Sequence, residues 1–97
     1  MSRLEFTPKA RQDVEDIWSY SVEQFGIEKA ESYLRDIQRA CETVAKNPRR
    51  GVGCDHIRAG YRKVSVGSHV VFYRVVERSV IVVRVLRQRM DFESRLP

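Results

Sequence analysis

IRAGYRKVSVGSHVVFYRVVERSVIVVRVL, residues 57–86, holds three runs rich in β-branched and aromatic residues: 57–66, 69–76 and 80–86. Such residues suit a pleated, half-buried surface. The breaks between the runs, Gly67-Ser68 and Glu77-Arg78-Ser79, are too short for anything but tight turns. Parallel neighbours would need a crossover of a dozen residues, so the three runs predict an antiparallel meander. SVIVVRVL (79–86) hardly alternates between apolar and polar. That predicts a central strand covered on both faces, or covered on one and met by a partner on the other.

Upstream, RLEF (3–6) reads as a short strand, and Thr7-Pro8 supplies a helix N-cap followed by a proline at the first helical position. From Ala10 the positions Val14, Ile17, Trp18, Ser21, Val22 and Phe25 keep a helical rhythm, with Asp13, Glu15, Asp16 and Glu23 on the outer arc. Gly26 ends this helix, with Val22 and Ile27 placed for the apolar contact of a left-handed cap. A second stripe of Ala30, Tyr33, Leu34, Ile37, Cys41, Val44 and Ala45 follows at once and stops at Asn47-Pro48. Strand, helical hairpin and three-stranded meander together predict an α+β fold with both helices on one sheet face. The other face is then expected to be open and lined by alternate residues such as Arg62, Arg74 and Arg84. RRGVGCDH (49–56) reads as a loop; its glycines are not followed by Lys-Ser/Thr or by a helix, so it is no phosphate loop.

A chain of 97 residues and 11.4 kDa has room for one core, a single domain over 1–97. Of its 18 basic and 13 acidic residues, 7 and 9 precede Arg49, leaving 11 and 4 from there on, so net −2 gives way to net +7. All but one of those 11 are arginines. The second half therefore favours an anionic partner and suits bidentate pairing with carboxylate or phosphate. No run is long and apolar enough for a membrane helix, and MSRLEF is too short and polar for a signal peptide, so the expected location is cytoplasmic. Cys41 and Cys54 form no disulfide framework and read as free thiols, Cys41 facing the core and Cys54 in a loop.

Catalytic constellations are poorly supplied. Cys54, Asp55 and His56 are neighbours in a loop, where consecutive side chains rarely converge, and His69 beside Ser68 reads as a strand-start residue bonded to backbone. Gathering Cys41, Cys54, His56 and His69 around zinc would pull Cys41 off its core stripe. No cofactor or metal is expected. Most aromatic residues fall on core stripes; Tyr20 and Phe92 do not, and are the better contact candidates. No face alternates rings with basic groups, so no single-strand stacking platform or sequence-specific nucleic-acid binding is expected.

The segments LEFTPKARQDVEDIWSY, KNPRRG, IRAGYRKVSVGSHVVFYRVV and VVRVLRQRMD, in that order, resemble the RelE/ParE superfamily of toxins from type II toxin-antitoxin pairs, and within it the ParE branch. The resemblance spans essentially the whole chain; its most specific parts are the helix bearing DIWSY and the terminal strand ending RVL-x-x-RMD. It implies one of two activities: poisoning of DNA gyrase in ParE-like members, or cutting of messenger RNA on the ribosome in RelE-like ones. The nuclease pattern wants basic residues on the second strand, an arginine opening the third, and an arginine with a tyrosine or histidine after the last. Here Lys63 fits, Ser65 replaces the second basic group, Val70 stands for the arginine, and neither Tyr nor His follows Leu86. A non-enzymatic gyrase inhibitor is thus the expectation, and a ribosome-dependent endoribonuclease the alternative.

RVLRQRMDFESRLP (84–97) then reads as a docking segment, with Arg84, Arg87, Arg89, Met90 and Phe92 as target-binding candidates. Many relatives carry His where this chain has Arg87. The competing reading tucks Met90 and Phe92 back against the helices. The resemblance also implies a ParD-like antitoxin whose C-terminal segment wraps the toxin, with Trp18, Tyr20, Arg62 and Arg74 as its expected contacts.

Overall fold

A computed structural model describes residues 2–96; Met1 and Pro97, the outer ends of the expected domain and tail, lie outside it. The chain runs β1 (Arg3–Phe6), α1 (Pro8–Phe25), α2 (Ile27–Lys46), a 3₁₀ turn (Pro48–Arg50), β2 (Val52–Gly53), β3 (Tyr61–Val66), β4 (His69–Val76), β5 (Ser79–Arg87) and a one-turn helix α3 (Phe92–Arg95). The sheet order is β1-β5-β4-β3-β2. β3, β4 and β5 form the expected meander, and β1 lies parallel to β5, which gives β5 a strand neighbour on each edge.

Local signals act as read at the helix junctions. Thr7 Oγ1 accepts the Ala10 N–H, and Pro8 opens α1. Gly26 adopts φ 89°, ψ 167°, an extended mirror-image conformation rather than the expected left-handed helical one. Its N–H still donates to Val22 C=O, but Ile27 is left 58% exposed and makes no closing apolar cap. The buried line of α1 is Ala10, Ile17 and Ser21, flanked by Val14. Trp18 and Phe25, expected on that stripe, sit about 80° and 60° round the helix from its centre and are 37% and 60% exposed. All seven stripe residues of α2 are buried or partly buried in the core or beside it.

Three expectations need correction. The first is the loop after α2. It contributes a two-residue edge strand, Val52 and Gly53 pairing with Lys63 and Arg62. Gly51 makes this possible: a Cβ there would stand 2.2 Å from the Tyr73 hydroxyl, which accepts the Gly51 N–H and donates to Pro48 C=O.

The second concerns register. Arg62 pairs with Tyr73, which belongs to the helix-side core, whereas Arg74 pairs with Tyr61 on the opposite face. The two arginines therefore do not share a surface. In β5 the ladder also slips: Tyr73 faces Val82 but Phe72 faces Arg84, so Val83 is an extra residue, a β-bulge. Before the bulge Val80 and Val82 point to the helices; after it Val85 does.

The third concerns the sheet face away from the helices, which is not open. Val70, Phe72, Val83, Leu86, Cys54 and Leu96 form a second apolar cluster, with Ile57, Tyr61, Met90 and Phe92 packed against it. Phe92 meets Phe72 edge to face at 4.8 Å between centroids. Two arginines hold the tail down: Arg58 donates to Glu93 C=O at 2.8 Å, and Arg84 to Arg95 C=O at 3.0 Å. Met90 and Phe92 thus tuck back as the competing reading held, but against the sheet and not the helices. Cys54, although in a loop, is fully buried by the same cover.

Candidate functional site

β1 ends at Phe6, so beyond Val82 the outer edge of β5 has no strand partner. The N-cap residue Thr7 and the first turns of α1 fill the gap. The Thr7 N–H donates to Val82 C=O, its hydroxyl to Val83 C=O, and Asp13 Oδ2 accepts the Val85 N–H at 2.9 Å. The same carboxylate receives Arg84 Nε at 2.7 Å and, on Oδ1, Arg84 Nη2 at 2.8 Å. These hydrogen bonds raise the Arg84 pKa further above its ordinary range. The pair fixes α1 against the end of β5 and so fixes the cleft beside it.

That cleft, about 370 Å³, is lined by Asp13, Asp16, Tyr20, His69, Arg87 and Met90 among others. A second hollow of about 490 Å³ adjoins it and adds Phe25, Ser68, Gln88 and Arg89. Tyr20, His69 and Arg87 line both. The Arg87 guanidinium carbon lies over the Tyr20 ring, 4.7 Å from its centroid, a cation–π contact. His69 is the cross-strand partner of Arg87, brought opposite it by the bulge. The imidazole is bonded not to backbone, as expected, but through Nδ1 to the Tyr33 hydroxyl. Tyr33 also accepts the Ser68 N–H at 3.2 Å and lies within reach of Val66 C=O at 3.1 Å. Gly67, at φ 55°, leaves the room for this ring; a Cβ there would fall 2.6 Å from Tyr33 Cε1. Burial first, and the Arg87 charge second, hold the His69 pKa below its ordinary value.

The structure brings together Tyr20, Arg87, Arg89 and Met90, three target candidates and one antitoxin candidate. Arg84 borders the cleft, but its guanidinium is bound to Asp13 and its side chain is only 12% exposed. Phe92 lies under the sheet. Arg62 and Arg74 lie near the far ends of β3 and β4 from His69, roughly 15 Å away along the strands at about 3.4 Å per residue. Arg62 donates to Gly51 C=O and Arg49 C=O, while Arg74 is exposed. Asp13, Tyr33 and His69 are the residues that sequence reasoning missed. The packing of α1 and α2 on the sheet and the β4–β5 register join them, and the bulge conceals that register. Among the described residues, no three His, Cys, Asp or Glu side chains gather to hold a metal.

Residues 4–92 match the model of a family described as the ParE toxin of the type II toxin-antitoxin system parDE. The chain belongs to the ParE toxin family. Toxin ParE1 of Mycobacterium tuberculosis is 49% identical over 96 residues, covering 98% of both chains, and toxin ParE1 of Caulobacter vibrioides is 42% identical, covering 99% of both. Among solved structures, the chromosomal ParDE system of P. aeruginosa superposes with a TM-score of 0.78 at 25% identity, covering 90% of this chain and 96% of that one. A YoeB-YefM complex from Staphylococcus aureus shares the fold, with a TM-score of 0.58 at 16% identity over 91% of this chain and 98% of that one. The α+β architecture is thus that of this toxin group, and the chain is a ParE-family toxin of a type II system.

Proposed function

We propose that this ParE-family toxin disables DNA gyrase by docking, without bond chemistry of its own, and that a ParD-like antitoxin neutralises it. A toxin acting on these partners works in the cytoplasm, the location this reading assigns to it. The observation that carries the reading is Val70. It stands where the nuclease pattern requires an arginine, it is 4% exposed, and it packs against the apolar cover of the sheet's far face. A phosphate anchor has no place there. Ser65, its cross-strand partner, replaces the second basic group. The histidine–tyrosine pair that the structure does contain lies on the helix side of the sheet, with His69 opposite Val66. Lys63 faces the other way, opposite Phe72, so the groups needed to move a proton and to hold a phosphate do not converge.

Supercoiling by purified gyrase tests the reading. A molar excess of toxin is expected to stop supercoiling and trap cleaved DNA, and added antitoxin to restore activity. Unimpaired supercoiling, or codon-phased cutting of messenger RNA on translating ribosomes, refutes it.

A further inference from the structure

The cleft around Tyr20, His69 and Arg87 is chemically specific in a way that toxin-family membership does not explain. Tyr20 holds the Arg87 guanidinium over its ring by a cation–π contact, which uses none of the N–H donors and leaves them to a carboxylate, the group an arginine fork matches. The Arg87 guanidinium makes no hydrogen bond or ion pair among the described residues, unlike those of Arg84, Arg58 and Arg62. Arg89 adds a second cation on the same rim. His69 Nδ1 is taken by Tyr33, and Nε2 has no partner among the described residues. An oxyanion at Nε2 selects the tautomer in which Nε2 carries the proton and the single Tyr33 O–H hydrogen turns from Val66 C=O to Nδ1.

Two features decide between a polypeptide carboxylate and a nucleic-acid phosphate. Asp13 and Asp16 line the inner cleft, and a phosphate chain with one charge every few ångströms would run against them. Ile17, Phe25 and Met90 give the same hollows apolar walls, which suit the aliphatic neighbours of a single acidic residue.

We propose that the Tyr20–Arg87–His69 cleft is a subsite for one Glu or Asp side chain of a partner polypeptide, flanked there by apolar residues. That the antitoxin supplies this segment rests on the reading above; the chemistry of the subsite does not. Because Tyr20 and Arg87 serve one pocket, an acidic residue seated in it excludes any other partner from the same arginine. Neutralisation then works by direct competition for Arg87.

The test needs neither gyrase nor antitoxin. The isotope-labelled toxin is titrated, with the Arg Nε–H and His ring signals followed by NMR, against a capped Leu-Glu-Leu peptide, its Leu-Gln-Leu analogue and oligo-dT. The Glu peptide is expected to move the Arg87 and His69 signals, and to bind about tenfold more tightly than the Gln analogue, as a charge-assisted contact requires. Arg87→Gln, an exposed change, is expected to abolish that difference while the backbone spectrum keeps its folded pattern. Equal binding of the two peptides, no shift at Arg87 up to about 10 mM Glu peptide, or displacement of the peptide by oligo-dT overturns the proposal.

Discussion

Asp13 is expected to be the most costly polar residue to remove. Its two oxygens receive three hydrogen bonds, two from Arg84 and one from the Val85 N–H, at 2.7 to 2.9 Å, and both charged side chains are nearly buried at 11% and 12% exposure. Asp13→Ala leaves a guanidinium without its counter-charge and a strand-edge N–H without an acceptor. Breaking a buried pair from one side costs about 3 to 5 kcal/mol, whereas an exposed pair such as Arg35 with Glu31 contributes under about 1 kcal/mol. A domain of this size has roughly 5 to 15 kcal/mol in all. Urea unfolding followed by circular dichroism should therefore show a loss of about 3 kcal/mol or more, and the melting temperature should fall by about 12 °C or more. Adding Arg84→Met to Asp13→Ala removes the stranded charge and should recover at least about 1 kcal/mol relative to Asp13→Ala alone. A loss below about 1 kcal/mol in the single variant, or no recovery in the double, would refute the claim that this pair holds α1 to the end of β5.

Three further outcomes are expected. Tyr73→Phe removes the acceptor of the buried Gly51 N–H and the donor to Pro48, and should cost about 1 to 3 kcal/mol by the same unfolding assay. Cys41, fully buried and with its thiol pushed up to about 12 by burial and then by Glu42, should resist iodoacetamide in the folded protein at pH 8 and react once urea unfolds it. His69 is neutral-favouring when folded, so the unfolded chain binds more protons below the ordinary value near 6.5; stability should fall as pH drops from about 7 towards 5, and His69→Gln should flatten that slope. The groups facing this imidazole are Tyr33 from α2, Asp13 from α1 and Arg87 from β5, and only Asp13 opposes the trend.

The sequence carried its structure unevenly, for physical reasons visible residue by residue. Thr7-Pro8, Gly26 and Asn47-Pro48 act on their own backbone, so both helices could be placed from neighbours alone. The turns at Gly67 and Glu77 likewise delimit the meander, both with positive φ. What could not be read was whatever depends on counting across strands. One extra residue at Val83 reverses which of Arg84, Val85 and Arg87 face the helices, and composition gives no sign of it. The cover over the far face was hidden for a similar reason. MDFESRL carries only Met90, Phe92 and Leu96 as apolar residues, and their burial depends on Arg58 and Arg84 capturing tail carbonyls from distant parts of the chain. The subsite combined both difficulties: Tyr20 and Arg87 were each singled out, but for different partners, because nothing local indicates that they stack.

The bulge in β5 also makes the strand tolerant of a change in its own length. Deleting Val83 would let Val82 and Arg84 pair in regular succession with Tyr73 and Phe72, and would leave Leu86 opposite Val70 and Arg87 opposite His69. The surplus side chain fills the apolar cover of the far face, so one residue can be lost from β5 without displacing the basic rim on the helix side.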